Sequence, residues 1–291
     1  MGMKVFISDF SKLIKLRLTL TVVFSASVSF LIGSKEQGDI NWQYWMILTI
    51  GGFFVTAAAN GFNEIIEKDL DKLMGRTKDR PIPAGRMTTG QALVMSLFMG
   101  ILGTLILVKL NFLTGILSVF SIFLYAFVYT PLKRKSPIAV FVGAIPGALP
   151  PLIGYFAAFD NPHISWVPVI LFLIQFVWQF PHFWAIAWVL DDDYKLAGFR
   201  LLPTTQRDKV SALLIVISAV VLIPVSIMPF WYHFAGYAYL IIALIGGIFF
   251  LQKAVKLYQM QDIPAAKKVM YASFIYLPII QLALLFDFII P

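Results

Sequence analysis

In the segment NEIIEKDLDKLMGRTKDRP, residues 63–81, Asn63, Glu67 and Asp71 recur at i, i+4 and i+8, so on a helix they form one polar stripe with Asn60 one turn earlier. Carboxylates four residues apart repel unless a cation neutralises them. A basic run follows, Arg76, Lys78, Arg80 and Arg86, in a loop shaped by Pro81, Pro83 and Gly85. Acids alone suit a divalent metal, whereas acids followed by arginines suit a metal plus an oxygen-rich anion. Mg²⁺ binds through one or two carboxylates while phosphate oxygens and water complete its shell, and arginine forks match phosphate. The plain alternative is a solvated helix end.

A second segment, WVLDDDYKLAGFRLLPTTQR, repeats the scheme: Asp191, Asp192 and Asp193, then Lys195, Arg200, Pro203 and Arg207. Just before it, Gln175, Gln179 and His182 share a face pointing towards the same end as the acids. A histidine so placed is either a helix–helix hydrogen-bond partner or a substrate contact.

The elements that must position these groups are membrane helices. The 291 residues are 59% hydrophobic and 13% charged, with a mean hydropathy of +0.83, outside the soluble globular range. Runs of about 20 apolar residues predict nine spans, near 18–34, 43–66, 90–108, 112–130, 138–158, 164–190, 211–229, 235–252 and 270–290. The basic amino terminus superficially resembles a secretory signal, but eight further apolar segments favour a retained first span. With that terminus inside, 21 of the 23 Lys and Arg fall in cytoplasmic segments, leaving Lys35 and Lys109 outside. Both acidic clusters then share the cytoplasmic face. The net charge of +8 is mostly this bias, with contact to anionic lipid, and does not suggest nucleic acid. Without cysteine there is no disulfide framework or thiolate ligand. The expectation is an all-α polytopic membrane protein, one domain over residues 1–291. GAIPGALPPLIG in the fifth span should bend or break its helix, which is the feature favouring a secondary transporter, although transporter sites cluster at the midplane.

The chain resembles the UbiA-type intramembrane prenyltransferases, whose first motif, Asn-x-x-x-Asp-x-x-x-Asp, matches Asn63, Glu67 and Asp71 with Glu for one Asp. It is most similar to the heme-farnesylating group, through EKDLDKLMGRTKDRP, YTPLKRKSP, GALPPLIGY, QFPHFWAIAW and DDYKLAGFRLLP in that group's order. It departs from the superfamily's second motif, Asp-x-x-x-Asp, because Val189 lies four before Asp193, leaving Asp192 and Asp193 to supply that charge. It departs again at Ala139, where asparagine is usual.

The resemblance implies a UbiA-type bundle in a bacterial-type cell (inner) membrane that transfers farnesyl from farnesyl diphosphate to a vinyl group of heme B, with water addition, giving heme O. It implies Mg²⁺ on Asn63, Glu67, Asp71, Asp192 and Asp193, with heme B as substrate and not a retained cofactor. Arg76, Arg80, Lys133 or Arg134, and Lys15 and Arg17 would grip the diphosphate. His182, with Gln179 beside it, would contact heme as an axial ligand or through a propionate. Heme A synthase and oxidase assembly factors are candidate partners, and an aromatic acid or quinone precursor is the alternative acceptor.

Overall fold

The computed structural model describes residues 3–290, so residues 1, 2 and 291 of the expected domain lie outside the described residues. A short α1 (Met3–Leu13) precedes the first span, α2 (Leu16–Gln37), and α3 (Trp42–Asp71) and α4 (Thr89–Val108) follow. Next come α5 (Phe112–Phe123), a π-helical segment (Leu124–Tyr129) and α6 (Thr130–Leu132), which together make one span. The remainder is α7 (Ala139–Phe156), α8 (Trp166–Val189), α9 (Asp191–Leu196), α10 (Lys209–Trp231), α11 (Tyr237–Met260) and α12 (Ile263–Phe286). Among the described residues nine helices are long and apolar enough to cross a membrane, as the sequence predicts. The chain is an all-α integral membrane protein.

Three span ends differ from the sequence reading by five residues or more, one being the eighth, which runs on to Met260 instead of ending near 252. The second span runs on to Asp71 because Glu67 and Asp71, past the apolar run, are buried within the bundle. The ninth starts at Ile263, where Asp262 accepts the Ala265 amide hydrogen at 2.7 Å and caps the helix one turn before Lys267 and Lys268, which interrupt the apolar run.

The helices form two connected groups, α2 to α5 with α7, and α8 with α10 to α12, joined where α7 meets α8 and α2 meets α12. Between lipid-exposed helices there is little hydrophobic driving force, so close packing by small residues decides contact. Gly154 of α7 shows this, since a Cβ there would collide with the backbone carbonyl of Ala26 in α2.

The expected break in the fifth span does not occur: α7 is helical throughout despite Pro146, Pro150 and Pro151. A proline at i frees the carbonyl at i−4, which for Pro151 is Gly147. Gln175 Nε2 donates to that Gly147 oxygen at 2.7 Å, so α8 supplies the hydrogen bond α7 has lost. A second glutamine, Gln179, donates to Ala144 O at 2.9 Å.

Candidate active site

Asn63, Glu67 and Asp71 end α3 on one buried face, at 0%, 4% and 0% exposure. Each has its own cation from a different part of the chain. Lys15 Nζ, from the turn between α1 and α2, donates to Asn63 Oδ1 at 2.5 Å. Lys133 Nζ, just past α6, reaches Glu67 Oε1 at 2.8 Å, and Arg80 Nη1, from the α3–α4 loop, reaches Asp71 Oδ2 at 2.5 Å. The repulsion implied by the spacing is thus neutralised inside the protein.

The three cations are not equivalent. Burial is the largest single influence on Lys133 and would lower its pKa, but the charge and hydrogen bond of Glu67, with Tyr125 and Tyr194, together hold the ammonium above its ordinary value. Lys15 faces a neutral amide; burial, then the charges of Arg80 and Lys133, push it well below the lysine range. It is the cation with most to gain from an arriving anion. Lys133 also lies 4.7 Å from the ring centroid of Tyr129 and 5.6 Å from that of Phe199.

The hard oxygen donors on this stripe fit Mg²⁺. Asp71 Oδ1 is buried with no hydrogen-bond partner, an acceptor costly to leave unused. Among the described residues, however, no three His, Asp or Glu side chains already converge as a metal cage.

The two acidic helix ends meet through Asp193, whose carboxylate accepts the Gly75 and Arg76 backbone amides, both at 3.2 Å. Asp192 is mostly exposed and turned to Arg207, whose Nη2 is 3.1 Å from its Oδ2. The buried Asp191 lies 2.7 Å from Lys195 Nζ without hydrogen-bond alignment. Arg200 N donates to Lys133 O at 2.7 Å, tying the loop after α9 to the loop after α6. The side chains of Arg76, Arg134 and Arg17 are exposed. Arg134 lines a cavity of about 450 Å³ with Glu67, Leu70, Thr130 and Pro131.

Gln179 and His182 are not brought to the stripe; they lie where α8 packs on α7 and α12. Gln179 is spent on the Ala144 carbonyl. His182 stacks on Trp178 at 4.3 Å, and its Nδ1 lies 2.7 Å from Ser273 Oγ. The Ser273 hydroxyl donates to Met270 O at 2.6 Å, so Nδ1–H must be the donor to Ser273. That leaves the Nε2 lone pair as the ring's acceptor or ligand.

Thr130 and Glu64 are absent from the sequence reading of the site, and Asn60 enters it only as the residue one turn before the stripe. Thr130 Oγ1 accepts from Asn63 Nδ2 at 3.0 Å, and Asn60 Nδ2 donates to Ile14 O at 3.1 Å. Glu64 is fully buried and accepts the Ile82 amide hydrogen at 3.2 Å through Oε1. Asn60 is on the stripe's own face and Thr130 lies within YTPLKRKSP, so both carried a signal. Glu64 is off the stripe and carried none.

A polytopic helical bundle with paired acids and bases at one helix end defines an intramembrane group-transfer site. The sequence profile of the UbiA prenyltransferase family matches residues 22–277, and the chain belongs to that family. It is 46% identical to the protoheme IX farnesyltransferase of Cytophaga hutchinsonii over 278 residues, covering 95% of this chain and 96% of that one. Among solved structures it resembles a digeranylgeranylglyceryl phosphate synthase, at a TM-score of 0.80 and 22% identity over 97% of this chain and 98% of that one. It also resembles a UbiA homolog from Archaeoglobus fulgidus bound to GPP and Mg²⁺, at a TM-score of 0.66 and 11% identity, covering 95% and 99%. The transporter alternative is set aside, because the family is one of prenyltransferases.

Proposed function

We propose that the protein is a Mg²⁺-dependent prenyltransferase that makes heme O from heme B and farnesyl diphosphate, acting as a single membrane-embedded domain. The likeness to a protoheme IX farnesyltransferase along almost the whole chain supports the substrates. The observation that carries the chemistry is the buried stripe of Asn63, Glu67 and Asp71, matched by Lys15, Lys133 and Arg80.

In the reaction the allylic C–O bond of farnesyl diphosphate breaks and diphosphate leaves. The farnesyl carbon bonds to the terminal carbon of a heme vinyl group, water adds at the inner vinyl carbon, and one proton is released. Negative charge therefore gathers on the phosphate oxygens as the bond breaks, and groups already aimed there do most of the work. Mg²⁺ supplies Lewis-acid stabilisation of that charge when bound. Asn63, Glu67 and Asp71 would hold it. Asp193 is the facing acid that reaches the α3–α4 loop, with Asp192 beside it. Lys15, Lys133 and Arg80 exchange their side-chain partners for diphosphate oxygens. Arg76, Arg134 and Arg17, exposed at the same helix ends, add charge as the anion approaches.

On the heme side, His182 presents Nε2 to the iron, because Ser273 holds Nδ1 as the donor. An Nε2 lone pair cannot donate to a propionate, which favours the axial role. Gln179 keeps α8 seated against α7 beside it. The Lys and Arg bias supports an amino terminus and acidic loops on the cytoplasmic side, and the likeness to bacterial relatives supports a bacterial-type inner membrane. Heme A synthase and oxidase assembly factors are the partners its product would suit.

Membranes containing the protein, incubated with heme B, farnesyl diphosphate and Mg²⁺, should yield heme O detectable by mass. Heme left unchanged while a quinone precursor is prenylated would replace this reading with the alternative acceptor.

A further inference from the structure

We propose that Asp9 is a positioning residue for the diphosphate end of the site, acting through Lys15, an inference that rests on Lys15 being a diphosphate-binding group. Asp9 is 2% exposed, although it lies on α1, where Val5, Phe6 and Ile7 are exposed. Arg86 Nε donates to both Asp9 oxygens, at 3.0 and 3.2 Å. The same guanidinium donates to Asp79 Oδ1 at 3.0 Å and Asp79 O at 2.8 Å, while Asp79 Oδ2 takes Lys12 Nζ at 2.7 Å. Asp9, Arg86, Asp79 and Lys12 thereby form a closed latch between α1 and the α3–α4 loop.

Beneath the latch, Leu13 packs with Ile82, Met87 and Ala92, and Ile14 packs with Ala57, Ala58 and Phe62 of α3. The Ile14 carbonyl accepts from Thr19 Oγ1 at 2.6 Å and Asn60 Nδ2 at 3.1 Å. Lys15 comes next, at φ 48° and ψ 57°, a left-handed conformation costly for a residue with a side chain. Such a backbone persists where its surroundings impose it. Here they are the latched α1 on one side and α2 on the other, and the turn they force sends Nζ to Asn63.

A surface ion pair has little effect, which describes Lys12 and Asp79, whose side chains are 41% and 72% exposed. Asp9 differs because its carboxylate is buried, so neutralising it loosens Arg86 from α1. One buried carboxylate thus holds α1 on the α3–α4 loop, and through α1 it sets the turn that carries Lys15.

The test is a double-mutant cycle on steady-state farnesylation, with Asp9→Asn, Lys15→Met and both together. Asp9→Asn should raise the KM for farnesyl diphosphate about tenfold, the scale of a catalytic group displaced by a fraction of an ångström, and leave the KM for heme unchanged. In the Lys15→Met background it should add less than about twofold, because its route to the substrate is gone. An unchanged farnesyl diphosphate KM in Asp9→Asn, a full second effect on top of Lys15→Met, or an equal rise in both KM values would each overturn the proposal. If Asp9→Asn fails to accumulate, Arg86→Gln breaks the same buried pair from the loop side and carries the same cycle, with a farnesyl diphosphate KM rise that Lys15→Met again abolishes and whose absence overturns the proposal. A wild type without farnesyl transfer to heme defeats the functional reading instead, so the two failures are distinct.

Discussion

Lys133 Nζ sits 2.8 Å from Glu67 Oε1 while lying 4.7 Å from the ring centroid of Tyr129, so one ammonium closes the acidic stripe from the adjoining span. The pair joins α3 to the turn after α6. Removing either member leaves the other charge buried and unpaired, which costs several kcal/mol where water cannot enter. Lys133→Met should therefore lower both the melting temperature of the solubilised protein and the affinity for inorganic diphosphate. The double variant Lys133→Met/Glu67→Gln should regain most of the melting temperature and none of the diphosphate affinity. Thermal unfolding and calorimetry on the same preparations check the two effects separately.

Because Glu67 and Asp71 are already neutralised by Lys133 and Arg80, metal alone has to displace protein cations. Mg²⁺ and diphosphate should consequently bind with positive coupling of about tenfold or more. Calorimetry should show weak Mg²⁺ binding by itself and much tighter binding with inorganic diphosphate present. Arg80→Met should strengthen Mg²⁺ binding in the absence of diphosphate and weaken diphosphate binding. Independent, uncoupled binding of the two would contradict the charge exchange.

The stripe was readable in the sequence because a spacing of four on a helix leaves few alternatives for Asn63, Glu67 and Asp71. The nine spans were readable for a similar reason, since hydropathy and basic-residue asymmetry report on the same topology. What stayed hidden depends on contacts between segments far apart in the chain. Nothing local shows that Lys133, 66 residues beyond Glu67, would be its partner. The prolines of α7 suggested a broken helix because their repair lies in Gln175, on the next span. The resemblance implies a metal-ligand role for Asp193, and its oxygens also hold two loop amides, a contact that the sequence alone does not show.

Gln175→Leu offers a test of that repair. It leaves the Gly147 carbonyl without its donor and removes the acceptor that Ser25 Oγ and Gln281 Nε2 both use, at 2.6 and 2.9 Å. A loss of about 1–3 kcal/mol is expected from the unsatisfied buried groups. Denaturant unfolding in detergent measures it. Unaltered stability would mean that α7 keeps its helix without help from α8.

For the heme end, Ser273→Ala should free the His182 ring from its fixed tautomer and weaken heme B binding about tenfold, the lower end for loss of a supporting hydrogen bond to a ligating histidine. His182→Ala should abolish the imidazole signature in the heme absorption spectrum. Retention of that spectrum and of heme affinity in His182→Ala would return this histidine to a packing role with Trp178.

The most direct measurement is single-turnover farnesyl transfer to heme B in membranes carrying Asn63→Ala, Glu67→Gln or Asp71→Asn. Each variant removes one member of the stripe that stabilises charge on the departing diphosphate. Each should cut the rate by at least about two orders of magnitude, as loss of a charge-stabilising group does, with protein abundance matched to wild type. Wild-type rates in all three would contradict the site described here.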